Sequence, residues 1–319
     1  MVGRMSILNQ RPERRLLEEV ALLKGIDVSF VEKDWFVVQL IGVIGDMQID
    51  GFDIIFSGGT CLSKAHALLQ RFSEDIDFRV VSSAAAQPRK ARSNFKKAVV
   101  DALSARGFVI EPGHLKARDE NRFFSIEVEY ESYFPPAVSL RPHVLIEITF
   151  KETQLSSMDL SVSSFVSELT HQVPEVTSIG CLDPVESAAD KLSAIAWRIP
   201  DRVREGENDD PSLVRHLHDL AILQAKALAQ ADFAALVKVS MGQDENRAKT
   251  AALADLSVTE KFQLMLTILE NDPGYPREYD RFVQGVSYAT DGSTPDFKTA
   301  LQAVRNLVER VGRHPEFGD

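Results

Sequence analysis

Apolar residues recur at helical spacing near the start of the chain. Leu16, Leu17, Val20 and Leu23 repeat every three or four positions with charges between them, which predicts a surface helix over residues 11–23. A second helix is predicted over 30–47, with Trp35, Val38, Ile41 and Ile44 on one side. Ile54-Ile55-Phe56 then reads as a short buried strand that meets a glycine turn at Ser57-Gly58-Gly59. Residues 60–69 read as a short helix with Leu62, Ala65 and Leu69 inward. Over 75–81 the period changes from helical to two. Ile76, Phe78 and Val80 face one way and Asp75, Asp77 and Arg79 the other, which is a strand with one buried face. Small and polar residues predict a loop at 82–88, followed by an amphipathic helix over 93–105 that stops near Gly107. Further strands are predicted over 122–130 and 144–150.

After about residue 180 the pattern becomes helical to the end of the chain, with no predicted strands. Asp183-Pro184-Val185-Glu186 is a helix start: the aspartate can cap, proline suits the first helical position, and the glutamate can close a capping box. Asp210-Pro211 repeats the signal. A domain boundary is expected in the polar stretch at 165–182, dividing the chain into a mixed-sheet domain (1–175) and a helical domain (176–319). The order of helices and strands indicates an α/β or α+β layer structure.

Composition changes this picture little. The 319 residues suit two domains, and 44% hydrophobic with 26% charged residues is ordinary for a globular protein. Two cysteines, Cys61 and Cys181, make no disulfide framework and no zinc pattern. The absence of a long apolar run predicts a cytoplasmic protein with no membrane association. A net charge of -11 argues against a surface built to coat nucleic acid, although local basic groups remain at Arg89, Lys90, Arg92, Lys96 and Lys97 and at Lys116, Arg118 and Arg122. Each group reads equally well as a solvated face.

The chemistry concentrates around the glycine turn. A strand sets Asp75 and Asp77 on one face, about 6.6 Å apart along the chain. Paired carboxylates of this kind can hold Mg²⁺ together with substrate phosphates. Gly58-Gly59 lets the backbone approach a phosphate closely, and Ser57 and Thr60 add hydroxyl donors. Glu147, a lone charge in the apolar run Leu145-Ile146-Glu147-Ile148, is the candidate third acid.

These residues resemble a known family. Ser57-Gly58-Gly59-Thr60-x-Leu62-x-Lys64 followed by Arg71-Phe72-Ser73-Glu74-Asp75-Ile76-Asp77-Phe78 is similar to the AbiEii/AbiGii toxins, nucleotidyltransferase-like proteins of bacterial toxin–antitoxin and abortive infection systems. The resemblance reaches upstream to Val31-Glu32-Lys33-Asp34-Trp35 and downstream to Glu186-x-x-x-Asp190-Lys191-Leu192-x-Ala194, Arg198 and His216-Leu217-x-Asp219-Leu220. It implies an α+β fold, with a nucleotidyltransferase-type mixed sheet followed by an all-helical domain and the nucleotide between them. Asp75, Asp77 and Glu147 would hold Mg²⁺ (or Mn²⁺), although Leu145 stands where many relatives have lysine. Lys191 and Asp219 would complete the catalytic set. Ser57, Gly58, Gly59, Thr60, Lys64, Ser73 and Arg198 would face the nucleotide, and Ser73 matches a serine that some relatives phosphorylate in self-inhibition. The implied reaction moves a nucleotide from an NTP to RNA, foremost a tRNA 3′ end, and the implied partner is a cognate AbiEi-like antitoxin.

Without the family, the later residues have plainer readings. Lys191 and Arg198 share a helix face and could clamp a triphosphate, or pair with Glu186, Asp190 or Asp201. Asp219 could pair with Arg215 at i,i+4. His216 and His218 read as surface or packing residues, Trp35 and Trp197 as core, and Cys61 as a small buried residue near the glycines. Kinase-like phosphoryl transfer to protein, or nucleotide binding without turnover, are the alternative functions.

Overall fold

The structure, a computed structural model, describes residues 10–82, 88–207, 209–244, 253, 255–289 and 292–314. Most of the loop expected at 82–88 lies outside them. The chain divides into two compact units, residues 1–67 with 72–182 and residues 68–71 with 183–319.

The first unit runs α1 (Arg14–Lys24), α2 (Val28–Gly45), β1 (Phe52–Ser57), one turn of helix α3 (Gly58–Thr60) leading into a π turn (Cys61–Ala65), β2 (Asp75–Ser82) and α4 (Arg89–Ser104). It continues with β3 (Leu115–Arg118), β4 (Phe123–Glu129), β5 (His143–Phe150), β6 (Met158–Val162), α5 (Phe165–Leu169) and β7 (Val176–Cys181). Among the described residues the strands form one seven-stranded mixed sheet in the order β3-β4-β5-β2-β1-β7-β6. The pairs β2–β5 and β1–β7 are parallel and the remaining neighbours antiparallel. The sheet therefore takes in β7, which lies beyond the expected boundary at 175. The short strands β3, β6 and β7 were not expected. β3 and β6 are mostly exposed edge strands without an apolar face, so they lack the pattern that announces the central strands.

Strand alternation sorts the two faces. Ile76, Phe78, Ile146 and Ile148 join Phe95 and Val99 of α4 and Phe36, Leu40 and Ile44 of α2 in one core. Asp75, Asp77 and Glu147 alternate with these apolar residues and so stand on the other face. The helix expected to bury one side, α2, is buried along nearly its whole length, including Glu32, Lys33 and Asp34. It has no polar side to turn outward, and three successive charges cannot share one direction on a helix.

The second unit is helical: α6 (Pro184–Arg198), a 3₁₀ turn (Pro211–Val214), α7 (Arg215–Ala229), α8 (Phe233–Asp244), α9 (Val258–Asn271), α10 (Gly274–Val286) and α11 (Phe297–Gly312). Asp183 caps α6 by accepting the Val185 N–H at 2.7 Å, with Pro184 at the first helical position. Asp210 likewise accepts from the Ser212 N–H at 3.0 Å. Helix α7 packs on α6 and α11, and α6 on α8. No helix among the described residues is long and apolar enough to cross a membrane.

Candidate active site

The glycine turn and the acid strand are built against each other. Ser57 pairs with Asp77 across the antiparallel β1–β2 ladder. Gly58 follows with φ +76°, and a Cβ there would meet Asp77 Oδ2 at 1.9 Å. Both backbone shape and space thus require glycine, because the carboxylate lies directly on the turn. The hydroxyls expected to donate to phosphate are engaged elsewhere. Ser57 Oγ donates to the Asp77 carbonyl at 3.2 Å, and Thr60 Oγ1 donates to the Asp75 carbonyl. A hydroxyl has one proton to give, so these side chains fasten the turn to β2.

The parallel β2–β5 register sets Asp77 beside Glu147 and Asp75 beside Leu145. Glu147 is flanked on its other side by Ser125 of β4. Arg79 shares the acid face and is buried. Arg141 donates from Nη1 to Asp75 Oδ1 at 2.6 Å and stands 3.6 Å from Glu74. Among the described residues, no three acid, histidine or cysteine side chains gather closely enough to hold a metal ion. Asp75 turns to Arg141 while Asp77 turns to Gly58.

Lys64 is enclosed. Its ammonium pairs with Asp34 at 2.9 Å and Glu168 at 3.5 Å and sits 4.0 Å from the centre of the Phe165 ring. Asp34 also accepts the Phe165 N–H at 2.6 Å. Burial pushes the Asp34 carboxyl up, and Lys64 opposes that shift. Ser73 is half-buried, two residues before Asp75. Cys61 is buried; burial first, and then the neighbouring Cys181 thiol, push it well up, so it is an inert thiol.

In the second unit Asp219 is fully buried between two cations. Arg71 grips it with two bonds, Nε at 2.8 Å and Nη2 at 2.7 Å, and Lys191 Nζ stands at 2.8 Å. His218 Nδ1 is 3.3 Å away. Burial alone would raise the Asp219 carboxyl, but Arg71 and then Lys191 hold it well below the usual range. Its partner is therefore not Arg215, which lies beside Asp210 and Ser212. Arg198 also binds Asp210, at 2.6 Å, and contacts His216 at 3.3 Å. His218 packs beside Tyr279 and Phe282.

A family model described as the nucleotidyl transferase AbiEii toxin of type IV toxin–antitoxin systems matches residues 49–303. The chain belongs to this family. The AbiEii match spans both units and reaches residue 303, well past the last quoted motif at His216-Leu217-x-Asp219-Leu220. Among solved structures, MenT4, a nucleotidyltransferase toxin from Mycobacterium tuberculosis H37Rv, shares the fold with a TM-score of 0.54 at 16% identity. The alignment covers 94% of this chain and 99% of that one. No curated protein matches the chain. The family makes the chain a nucleotidyltransferase and a toxin of a toxin–antitoxin system.

Two residues of this AbiEii chain, Arg141 and Arg71, escaped sequence reasoning. Arg141 stands far from the acid pair in sequence, next to Pro142, and carried no motif. Arg71 sat inside the matched block and was given no role there. The one available signal was indirect: buried acids such as Asp219 require buried cations.

Proposed function

We propose that this toxin transfers a nucleotidyl group from an NTP to an RNA hydroxyl, foremost a tRNA 3′ end, at the acid face of β2. The observation that carries this reading is the contact between Gly58 and Asp77: a phosphate held by the turn would lie beside the acid pair. Asp75, Asp77 and Glu147 offer carboxylate oxygens from one sheet face, the donor type a hard divalent cation takes, and because the three do not close on one point substrate phosphates would have to complete the ligand set. Mg²⁺ is the first candidate and Mn²⁺ the second; either would supply positive charge to the phosphate oxygens when bound. The chain's own part is positioning and charge. Backbone at Gly58 and Gly59 approaches the phosphates. Within the second unit, Asp219 and Arg71 fix where the Lys191 ammonium stands. The acceptor hydroxyl loses its proton to a carboxylate of the acid face as its oxygen bonds the α-phosphorus and pyrophosphate departs. A cognate AbiEi-like antitoxin neutralises the activity.

The test is incubation with α-labelled NTPs, Mg²⁺ and total RNA. Label should enter RNA with the wild type and not with Asp75→Asn or Asp77→Asn. Equal labelling by wild type and variants would sink the reading. Transfer of a γ-label to protein would replace it with kinase chemistry.

A further inference from the structure

The connection between β4 and β5 carries Pro135, Pro136 and Pro142 and no regular secondary structure. It is nevertheless fastened to α2 at Tyr133 and Ala137, and again at Arg141. The Arg141 N–H donates to Glu74 Oε2 at 3.0 Å, and the Arg141 carbonyl accepts from Lys33 Nζ at 2.8 Å. Lys33 also pairs with Glu74, closing a triangle of acid, amine and loop backbone. Lys33 is fully buried on α2, and burial lowers it despite the raising influence of Glu74. Both polar groups of the Arg141 backbone are thus clamped by the core.

The side chain behaves differently. It is 42% exposed, and its guanidinium reaches past Glu74 to Asp75 Oδ1 at 2.6 Å. A buried clamp therefore presents a solvent-accessible cation to one of the three acids assigned to the metal. A guanidinium and a divalent cation compete for the same carboxylate oxygen. The planar fork of arginine also matches phosphate oxygens, so an arginine displaced from Asp75 has an alternative partner in a triphosphate.

We infer that Arg141 is a substrate-binding cation with two positions, neutralising Asp75 in the enzyme without divalent cation and turning to the NTP phosphates when that cation takes Asp75. This rests on the metal reading of the acid pair. The clamp on the backbone keeps the pivot in place while the side chain exchanges partners.

The test measures binding to the full chain by calorimetry, with Mn²⁺ alone and then with inorganic tripolyphosphate at saturating Mn²⁺. Arg141→Ala and Arg141→Gln leave the clamped backbone atoms intact. Each should bind Mn²⁺ about fivefold more tightly, as expected for removing one nearby charge at a half-exposed site. Each should bind tripolyphosphate about tenfold more weakly, with Arg141→Lys between, as expected for loss of a charged hydrogen-bonding pair. Unchanged or weaker Mn²⁺ binding in both variants, or unchanged tripolyphosphate binding, overturns the role of Arg141. Loss of Mn²⁺ binding in Asp77→Asn would keep the metal reading standing in that case. A wild type that binds no Mn²⁺ overturns both.

Discussion

Two single positions are tightly constrained by their surroundings. At Gly58 a methyl group would overlap Asp77 Oδ2, and the left-handed backbone would be strained as well. Gly58→Ala should therefore abolish nucleotide transfer and destabilise the fold by about 1–3 kcal/mol, measured by urea denaturation. Retained transfer would show that the turn is not where phosphate binds. Asp219 is the second position. With both cations buried around it, Asp219→Asn should cost about 3–5 kcal/mol, because Arg71 keeps its charge and loses its counter-charge. The pH dependence has a defined sign. Asp219 is held well below the usual range in the folded protein, so its contribution is complete above the ordinary carboxylate pKa of about 4. It is lost only as pH falls through the depressed value. The stability gap between wild type and Asp219→Asn should stay level from about pH 5 to 8 and close below about pH 4. A gap that narrows near neutrality would contradict the ion-pair assignment.

At the scale of elements, α2 is the organising helix of the sheet unit. Its run Glu32-Lys33-Asp34 sends three charges to three separate tasks. Glu32 accepts the Tyr133 N–H at 2.8 Å and pairs with Arg11; Lys33 clamps Glu74 and Arg141; Asp34 holds Lys64 and the start of α5. Removing one member of the buried Asp34–Lys64 pair should cost about 3–5 kcal/mol, whereas Asp34→Leu with Lys64→Met together should recover most of the loss. The double variant should also keep its affinity for tripolyphosphate, since the Lys64 ammonium is enclosed. A selective loss of that affinity with stability intact would return Lys64 to the nucleotide site. Elements with strong periodicity were legible from sequence: β2 and β5 alternate as read, and Asp183-Pro184 starts α6. Helix α2 was found, but its burial on every side was not, because periodicity reports one apolar face and α2 has no other kind. The acid row of Asp75, Asp77 and Glu147 was legible on its strands. Arg141, Lys33 and Arg71 were not, because long-range ion pairs leave no local pattern.

At the scale of the whole molecule, the net charge of -11 constrains how the proposed RNA acceptor could be held. Many of the cations that could meet phosphate are already committed to acids or to the fold. Lys116 pairs with Glu127 at 2.8 Å, and Lys96 binds Asn121 at 2.8 Å. Arg92 donates to the Glu120 carbonyl at 3.1 Å, and Arg118 lies over the Phe123 ring. Arg202 and Arg204 are tied to Asp209, Asp272 and Glu278 in the helical unit. Every phosphate neutralised by a protein cation releases counter-ions and steepens the dependence of affinity on salt, with a slope of about -0.7 per contact on a single strand. With these cations committed and a net charge of -11, the chain should bind an RNA acceptor with a shallow slope, no steeper than about +3 in log Kd against log salt. Filter binding of total tRNA between low and physiological salt measures it, using Asp77→Asn to prevent turnover. A shallow slope means that recognition rests on a few charged contacts and on the RNA end itself, which agrees with an acceptor presented by its 3′ terminus. A slope near that of basic nucleic-acid-binding proteins would mean that a broad cationic surface forms, and the ion pairs named above would then have to open to supply it.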